Sequence, residues 1–265
     1  MNDSETPQPG PAYPQAVTLA EVSANLDAVR RRMHDACLRV GRHPATVRLL
    51  PVTKTLPDAR IELAWQAGCR DFGENKVQEA AAKAEALQSL PDIRWSVIGH
   101  LQTNKAKVVA RFASEFQALD SLRLAEALDR HLQQQGRALS VMVQVNTSGE
   151  ASKYGMPPEQ LVPFLRDIAR LDTLKVKGLM TLAMLSSDTS RVRGCFRSLH
   201  ALRDRARQES PQGDALVDLS MGMSGDFETA IEEGATLVRV GQAIFGARAL
   251  PDSHYWPETH LEISP

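Results

Sequence analysis

Apolar positions recur at two different spacings along the chain. From Leu19 they follow steps of three and four residues, which form one face of a helix, and Gly41 ends that helix. Thr18 and Glu21 have the T-x-x-E spacing of a capping box, which places the start of the helix there. Beyond residue 41 the pattern changes to short apolar runs separated by amphipathic stretches. Such a change is typical of strands that alternate with helices.

Eight of the short runs have the length and composition of buried strands, at residues 47–53, 70–73, 94–99, 116–120, 139–146, 175–182, 215–220 and 236–240. Amphipathic stretches that predict helices lie between them, at residues 57–67, 76–88, 122–135, 158–170 and 190–208. Strands that alternate with helices form parallel sheets. Eight such units in about 250 residues predict an α/β fold, a single (β/α)8 barrel of TIM type preceded by an N-terminal helix.

A doubly wound open sheet is the alternative fold. The first predicted strand is followed by TKTLP, however, and not by the Gly-x-Gly-x-x-Gly turn of a dinucleotide-binding domain. The barrel is therefore the favoured fold. Residues 1–16 are rich in proline and have no apolar segment of a secretory signal, so they predict a disordered tail. The barrel domain is then expected to take up residues 17–265.

Composition narrows the classes of partner. The 265 residues include 31 Lys and Arg and 32 Asp and Glu, which gives a net charge of −1. This balance lacks the excess of positive charge that is typical of proteins that bind nucleic acid or an anionic membrane. No apolar run reaches the ~18 residues that span a bilayer. Three widely spaced cysteines without a C-x-x-C pair favour reduced thiols over a disulfide scaffold or a zinc site. We expect a cytoplasmic protein with a small-molecule partner and with neither nucleic acid nor membrane as a partner.

The predicted fold indicates where the chemistry lies, because a (β/α)8 barrel builds its active site at the C-terminal ends of its strands. Polar or chemically useful groups follow the predicted strands at Lys54, Asn75, His100, Asn146, Met180, residues 220–224 and residues 239–242. Lys54 directly follows the apolar strand LLPVT. Partial desolvation there would favour a neutral, nucleophilic amine, and the alternative is a lysine whose ammonium simply reaches water.

The stretches after the seventh and eighth predicted strands, LSMGMSGDFETAI and RVGQAIFGAR, have the composition of a phosphate site. Small residues before a helix start present backbone N–H groups to an anion, and barrels often bind phosphate at these two loops. Ordinary turns, with Ser224 capping the next helix, are the alternative. Arg239 ends the eighth strand, where it faces a ligand ring or pairs with a carboxylate.

For the other polar groups at the strand ends, a structural role such as helix capping is an alternative to a role in binding or catalysis. Asn75 supplies an amide to a ligand or caps the following helix, and His100 is more often a structural residue than an acid or base. Asp120 and its neighbour Ser121 have the appearance of a helix cap. No metal-binding spacing and no G-x-S-x-G motif occurs in the sequence. We therefore predict no metal and assign no catalytic residue.

A lysine after the first strand and a phosphate site after the last two strands suit a ligand with an aldehyde at one end and a phosphate at the other. Pyridoxal phosphate has that shape. A phosphosugar held by a Schiff-base aldolase is the competing ligand. The aldolase interpretation lacks obvious catalytic carboxylates at the strand ends.

The motifs together resemble the pyridoxal phosphate homeostasis proteins, also called the proline synthase co-transcribed homologues. The resemblance spans about residues 50–248 and rests on VTKTLP around Lys54, FGENKVQEA, WSVIGHLQTNKAK, SKYGM, KGLMTL, LSMGMSGDFETAI and RVGQAIFGAR. It implies a barrel similar to the N-terminal domain of alanine racemase (fold type III), with pyridoxal 5′-phosphate as a Schiff base on Lys54.

The same resemblance implies roles for the other cofactor-binding residues. Ser220 and the backbone of Gly241 and Gln242 would hold the phosphate, and Arg239 would lie near the pyridine nitrogen. Asn75 is also predicted to bind the cofactor, because of its place after the second strand and not because of the resemblance. Gln242 stands where many members have threonine, so the expected contact to phosphate at this position is the one from its backbone N–H. An arginine beside the ring nitrogen keeps that nitrogen unprotonated, which limits carbanion chemistry.

Two function classes share this site. The favoured one is a monomeric carrier that buffers pyridoxal phosphate, takes part in vitamin B6 homeostasis and has apoenzymes that use the cofactor as candidate recipients. The alternative is a weak amino-acid racemase, which needs a second acid or base on the opposite face of the cofactor. In alanine racemase that group is a tyrosine of the partner chain's extra domain. Only 25 residues follow Val240, too few for such a domain, and Tyr154 is the one loop tyrosine near the mouth.

Overall fold

The computed structural model, which describes residues 13–150 and 153–247, has the predicted barrel architecture. Its strands are β1 (Arg48–Pro51), β2 (Asp71–Glu74), β3 (Arg94–Val97), β4 (Glu115–Leu119), β5 (Leu139–Gln144), β6 (Leu174–Met180), β7 (Asp218–Ser220) and β8 (Leu237–Val240). Neighbouring strands pair in parallel in the order β1-β8-β7-β6-β5-β4-β3-β2. The prediction of a (β/α)8 barrel is confirmed.

The sheet closes on itself between β1 and β2. A parallel bridge joins Val52 to Gly73, and the N–H of Thr53 donates to the carbonyl of Gly73 at 3.0 Å. On its other side β1 pairs with β8, with Leu50 opposite Arg239. Residues that directly follow β1 therefore lie between the ends of β2 and β8.

Helices cover the outside of the sheet. In the described part of the chain they are α1 (Leu19–Arg39), α2 (Asp58–Gln66), α3 (Val77–Ala86), α4 (Ala106–Phe112), α5 (Leu122–Gln134), α6 (Leu161–Ile168), α7 (Thr189–Glu209), α8 (Phe227–Glu232) and α9 (Gln242–Phe245). The core between helices and strands contains the fully buried rings of Phe72, Phe116, Phe196 and Phe227. Within the two described ranges, no helix combines the length and apolar character needed to cross a membrane.

The N-terminal helix begins as the sequence predicts. The Thr18 hydroxyl accepts the N–H of Glu21 at 3.3 Å, and the Glu21 carboxylate accepts the N–H of Thr18 at 2.9 Å. This reciprocal capping box satisfies two donors at the start of α1. The buried face of α1 packs on α8, α9 and α2, outside the barrel.

Element boundaries differ from the predicted ones where local turns interrupt an apolar run. The strand predicted at residues 215–220 starts only at Asp218, because Gly213–Ala215 form a 3-10 turn. The sequence analysis did not predict α4, a seven-residue helix with too few positions to show a period. Most strands also end one or two residues before their apolar runs do, and those last residues enter the loops at the C-terminal end.

Residues 13–16, which the sequence analysis placed in the tail, lie against the barrel. The Tyr13 hydroxyl donates to the carbonyl of Ser224 at 3.1 Å, and the Ala16 N–H donates to the carbonyl of Phe245 at 3.2 Å. The rest of the predicted tail, residues 1–12, falls outside the described residues.

Candidate functional site

Lys54 lies in a tight turn at the C-terminal end of β1. The carbonyl of Thr53 accepts the N–H of Leu56 at 3.0 Å, so Lys54 and Thr55 are the two central residues of a β-turn. Thr55 has φ 67°, a positive value that a type II turn requires at this position and that β-branched residues rarely adopt. The turn places the partly exposed Lys54 at the mouth of the barrel.

Three ionisable side chains hold this turn, and we call Glu74, Glu79 and Lys83 the bracket. Glu74 Oε1 accepts the Thr53 hydroxyl at 2.6 Å, and Lys83 Nζ donates to the Thr53 carbonyl at 2.9 Å. Glu79 Oε1 accepts the backbone N–H of Thr55 at 2.7 Å. The bracket therefore contacts the backbone on both sides of Lys54.

The bracket is itself joined by ion pairs. Lys83 Nζ lies 2.8 Å from Glu74 Oε1 and 2.6 Å from Glu79 Oε1, so with its bond to Thr53 all three ammonium hydrogens have acceptors. Burial is the largest influence on Glu74 and raises the pKa of its carboxyl above the usual range, although the Lys83 charge opposes the change. Glu74 Oε2 has no hydrogen-bond partner among the described residues.

On the neighbouring strand, β8 ends in the buried guanidinium of Arg239. Its Nη1 donates to Ser220 Oγ at 2.6 Å and its Nη2 to the carbonyl of Thr181 at 2.8 Å. Burial lowers the pKa of Arg239 to about 10, and the negative charge of Asp226 offsets this only in part. Both hydrogen-bond partners are neutral, and no carboxylate of the described residues lies within ion-pair distance. A buried cation in such surroundings favours an anionic or electron-rich ligand.

Ser220 is oriented by a chain of hydrogen bonds inside the barrel. Its hydroxyl donates to Gln117 Oε1 at 2.7 Å and accepts from Arg239. The Gln117 amide in turn donates to Glu115 Oε2 at 2.6 Å, which fixes its carbonyl toward Ser220. The single hydroxyl proton of Ser220 is therefore donated to Gln117 in this structure. To donate it to a phosphate oxygen instead, the hydroxyl would have to rotate.

The loops after β7 and β8 are joined to each other. Ser224 Oγ accepts the N–H of Ala243 at 3.2 Å, so it links the two loops and does not cap α8. Gly222 has φ 92°, and a Cβ there would lie 2.6 Å from the Cβ of Ala230. At the end of β8, Gly241 passes so close to β1 that an added Cβ would lie 3.0 Å from the Val52 carbonyl oxygen.

Gly241 and Gln242 lie where α9 begins. The first N–H groups of a helix have no acceptor within the helix. Here they lie at the same end of the barrel as Lys54 and Arg239. The binding of an anion beside these two loops stays a prediction of the sequence analysis.

Asn75 follows β2 and sits beside the Lys54 turn. The helix α3 starts without a side-chain cap, so the capping role considered for Asn75 is not observed. The amide of Asn75 forms no hydrogen bond within the described residues and stays available to a ligand. The backbone carbonyl of Asn75 is covered by Gly99, where a Cβ would lie only 2.3 Å away.

The polar groups on the opposite arc of the barrel have structural partners. His100 Nδ1 lies 3.3 Å from Asp120 Oδ2, and its ring stacks on Tyr154 with centroids 4.1 Å apart. The Asn146 amide donates to the carbonyls of Glu150 and Lys153 within its own loop. Met180 is buried at the end of β6. Among the residues that the structure describes, no group of three or more metal-ligating side chains occurs.

The sequence analysis missed the bracket and Gln117. One signal was present, because Val77, Ala80 and Lys83 share one face of α3, so a lysine stands where the helix is otherwise apolar. Gln117 stands in the fully buried strand β4 without any local signal of its partner on β7. Its role depends on a contact between residues 103 positions apart.

Comparisons with known proteins identify the family of the chain. The sequence profile of the alanine racemase N-terminal domain matches residues 17–249. A pyridoxal phosphate homeostasis protein of Aquifex aeolicus (strain VF5) is 40% identical over 223 residues, which cover 84% of this chain and 96% of the relative. This chain belongs to the pyridoxal phosphate homeostasis family. The resemblance seen in the motifs is therefore confirmed.

Another relative and two solved structures are also similar to this chain. A family member of Bos taurus is 40% identical over 235 residues, covering 84% of this chain and 86% of the relative. PipY of Synechococcus elongatus PCC7942, solved with pyridoxal phosphate bound, is 35% identical to this chain, and the two structures have a TM-score of 0.76. The match covers 85% of this chain and 100% of the PipY chain. An alanine racemase of Clostridium difficile 630 is only 14% identical, with a TM-score of 0.66. The match covers 92% of this chain and 61% of the racemase chain, and it shows that the two proteins share a fold.

Proposed function

We propose that this protein binds pyridoxal 5′-phosphate at the C-terminal ends of β1, β7 and β8 and takes part in cellular homeostasis of the cofactor as a carrier. The observation that carries the proposal is the lysine turn of β1 beside the buried Arg239 guanidinium of β8. The end of β1 supplies the amine of Lys54, and the end of β8 supplies the Arg239 cation, whose hydrogen-bond partners are neutral. Family membership and the pyridoxal phosphate bound in the PipY structure support the choice of ligand.

The residues fit the two ends of this cofactor. When bound, pyridoxal phosphate supplies an aldehyde that condenses with amines and a ring that withdraws electrons. Lys54 binds the aldehyde carbon as a Schiff base. Ser220 and the backbone N–H groups of Gly241 and Gln242 hold the phosphate. Asn75, whose amide is not used elsewhere among the described residues, contacts the cofactor from β2.

Arg239 limits what the site can catalyse. Its guanidinium donates hydrogen bonds and accepts none, so facing the pyridine nitrogen it keeps that nitrogen unprotonated. An unprotonated ring withdraws electrons weakly, which suits storage and exchange better than carbanion chemistry. We propose that the cofactor passes to apoenzymes that require it, that the carrier acts as a monomer in the cytoplasm, and that residues 17–265 form one domain.

The second candidate function is a weak amino-acid racemase. The observation in its favour is the cluster of His100, Asp120 and Tyr154 at the same end of the barrel, across from Lys54. Such groups could exchange a proton on the far side of a bound substrate. Incubating the loaded protein with single-enantiomer amino acids separates the two functions, because only a racemase produces the opposite enantiomer.

The first test is the visible spectrum of the purified protein with pyridoxal phosphate, before and after borohydride reduction, followed by mass mapping. We expect a yellow protein whose reduced adduct is on Lys54, and no stable adduct in Lys54→Ala, which stays folded because Lys54 is outside the packed core. Lys76→Ala, at the exposed start of α3, is the matched control and keeps the adduct. A wild-type protein that stays colourless and unlabelled would refute the proposal and favour a phosphosugar ligand.

A further inference from the structure

The bracket takes no part in the chemistry proposed above, yet it is built around the Lys54 turn. Lys83 is 5% exposed and Glu74 is fully buried. Burying an ion pair gains little stability, because the desolvation of both charges offsets their attraction. Lys83 lies on a face of α3 shared with Val77 and Ala80, where an apolar side chain would pack as well. The buried charges of Lys83 and Glu74 therefore need an explanation other than a gain in stability.

The backbone conformation of the turn supplies that reason. At φ 67° the β-branched Thr55 is strained, and such a conformation persists only where the surroundings impose it. Glu79 fixes the N–H of Thr55, and Lys83 fixes the carbonyl of Thr53. These two bonds hold the peptide groups on either side of Lys54. They consequently set the direction in which the Lys54 side chain leaves the backbone.

We propose that Lys83 and Glu79 are positioning residues for Lys54, which they hold in the orientation that brings its amine to the aldehyde of pyridoxal phosphate. This inference rests on the proposed function. In the reaction the Lys54 nitrogen attacks the aldehyde carbon and forms one C=N bond. The aldehyde oxygen leaves as water with the two hydrogens of the neutral amine. In this proposal the bracket orients Lys54 through the backbone of the turn and supplies no proton to the reaction.

The test compares four variants of the full chain with the wild type. Glu79→Ala removes the acceptor for Thr55, and Glu79→Gln keeps an oxygen at the same place. Lys83→Met removes the ammonium but keeps most of the apolar stem. Glu85→Ala, an exposed position on the same helix, is the matched control.

Three measurements are made on each variant. The first is the rate of adduct formation on Lys54 with pyridoxal phosphate, read by absorbance and by mass mapping after borohydride reduction. The second is the affinity for pyridoxamine 5′-phosphate, which has the ring and phosphate but no aldehyde. The third is the rate at which formaldehyde and cyanoborohydride methylate Lys54 in the cofactor-free protein. Formaldehyde is small enough to reach the amine in any orientation.

We expect Glu79→Ala and Lys83→Met to slow adduct formation by about 10-fold or more, since small misplacements of a reacting group have effects of this size. Their affinity for pyridoxamine 5′-phosphate and their methylation rate stay at the wild-type values. Glu79→Gln restores the rate of adduct formation, and Glu85→Ala never changes it.

Several results would overturn the inference. One is wild-type adduct formation in both Glu79→Ala and Lys83→Met. Another is an equal loss of pyridoxamine 5′-phosphate affinity, which would mean that the bracket only supports the fold. Slower methylation would show that the bracket acts on the protonation of the amine and not on its position. If Lys83→Met fails to fold, the two Glu79 variants decide alone, because the Glu79 side chain is 28% exposed and tolerates change. A wild type that forms no adduct refutes the proposed function, and this inference with it.

Discussion

Arg239 is the residue that most strongly restricts the ligand. A buried cation is costly unless charged or polar groups surround it. Among the described residues, the hydrogen-bond partners of Arg239 are only the hydroxyl of Ser220 and one backbone carbonyl. A hydroxyl that donates to Gln117 turns its lone pairs toward Arg239. Gln117 is held in turn by Glu115, which Arg48 contacts at 2.8 Å near the other end of the barrel. The orientation of Arg239 therefore depends on groups far from the ligand.

Ser220→Ala is expected to weaken cofactor retention. A hydrogen bond to a charged group is worth about 1.5–3 kcal/mol, so the dissociation constant of pyridoxal phosphate should rise by roughly 10- to 150-fold. The loss combines a missing phosphate contact with a less constrained Arg239. Equilibrium titration followed by absorbance measures it. Ser140→Ala on β5, at the opposite end of a strand, is the control, and an unchanged constant in Ser220→Ala would remove Ser220 from the site.

At the level of elements, the loops after β7 and β8 act as one unit because Ser224 connects them. Gly222 lets the first loop turn back onto α8, where its backbone lies against Phe227 and Ala230. A positive φ of 92° suits glycine and disfavours every residue with a Cβ. The shape of the phosphate-binding end thus depends on close packing between a loop and a short helix.

Gly222→Ala is expected to lower the free energy of unfolding by about 2 kcal/mol or more, because strained φ and a 2.6 Å approach to the Cβ of Ala230 act together. Gly225→Ala, three residues further on, has open space around its added Cβ and should change stability by less than about 0.5 kcal/mol. Urea unfolding of the cofactor-free protein compares the two. Equal stability of both variants would contradict the packing argument.

The sequence indicates elements well where the signal is local. Lys54 could be placed at the site because an apolar run stops just before it, and the Thr18 cap was recognisable from four residues. The bracket could not be predicted, because Glu79 meets the N–H of Thr55 only when α3 packs beside the end of β1. The role of Ser224 was likewise hidden, since its partner Ala243 follows the next strand.

On the scale of the whole molecule, charge is distributed unevenly between surface and interior. Outside, the ends of α1 and α7 pair with α8 through Arg39, Arg193, Glu232 and neighbouring residues. Ion pairs at the surface, where water still reaches the partly exposed side chains, contribute little to stability. Inside the fold, burial is the largest influence on Glu74, Asp218 and Asp226 and raises the pKa of each carboxyl. The interior carboxyls should therefore dominate the pH dependence of stability.

The sign of that dependence follows from proton binding. Between the ordinary carboxyl pKa of about 4 and the raised pKa of the folded state, the folded protein keeps protons that the unfolded chain has released. The free energy of unfolding therefore falls as pH rises through this window, by up to about 1.4 kcal/mol per pH unit for each such proton. Their stabilising contribution is complete below the window and lost above it. Exposed carboxyls with a lowered pKa, such as Glu209 beside Arg205, act in the opposite direction but are screened.

Glu74→Gln is expected to make this fall shallower. The glutamine carbonyl can accept the bonds that Thr53 and Lys83 give to Glu74, but the side chain no longer titrates. Urea unfolding of the cofactor-free protein at several pH values from about 4 upward measures the slope, with exposed Glu85→Gln as the control. A wild-type slope in Glu74→Gln would mean that Glu74 is ionised across the whole range. The attraction of Lys83 would then outweigh the effect of burial on Glu74, contrary to the expected direction of its pKa.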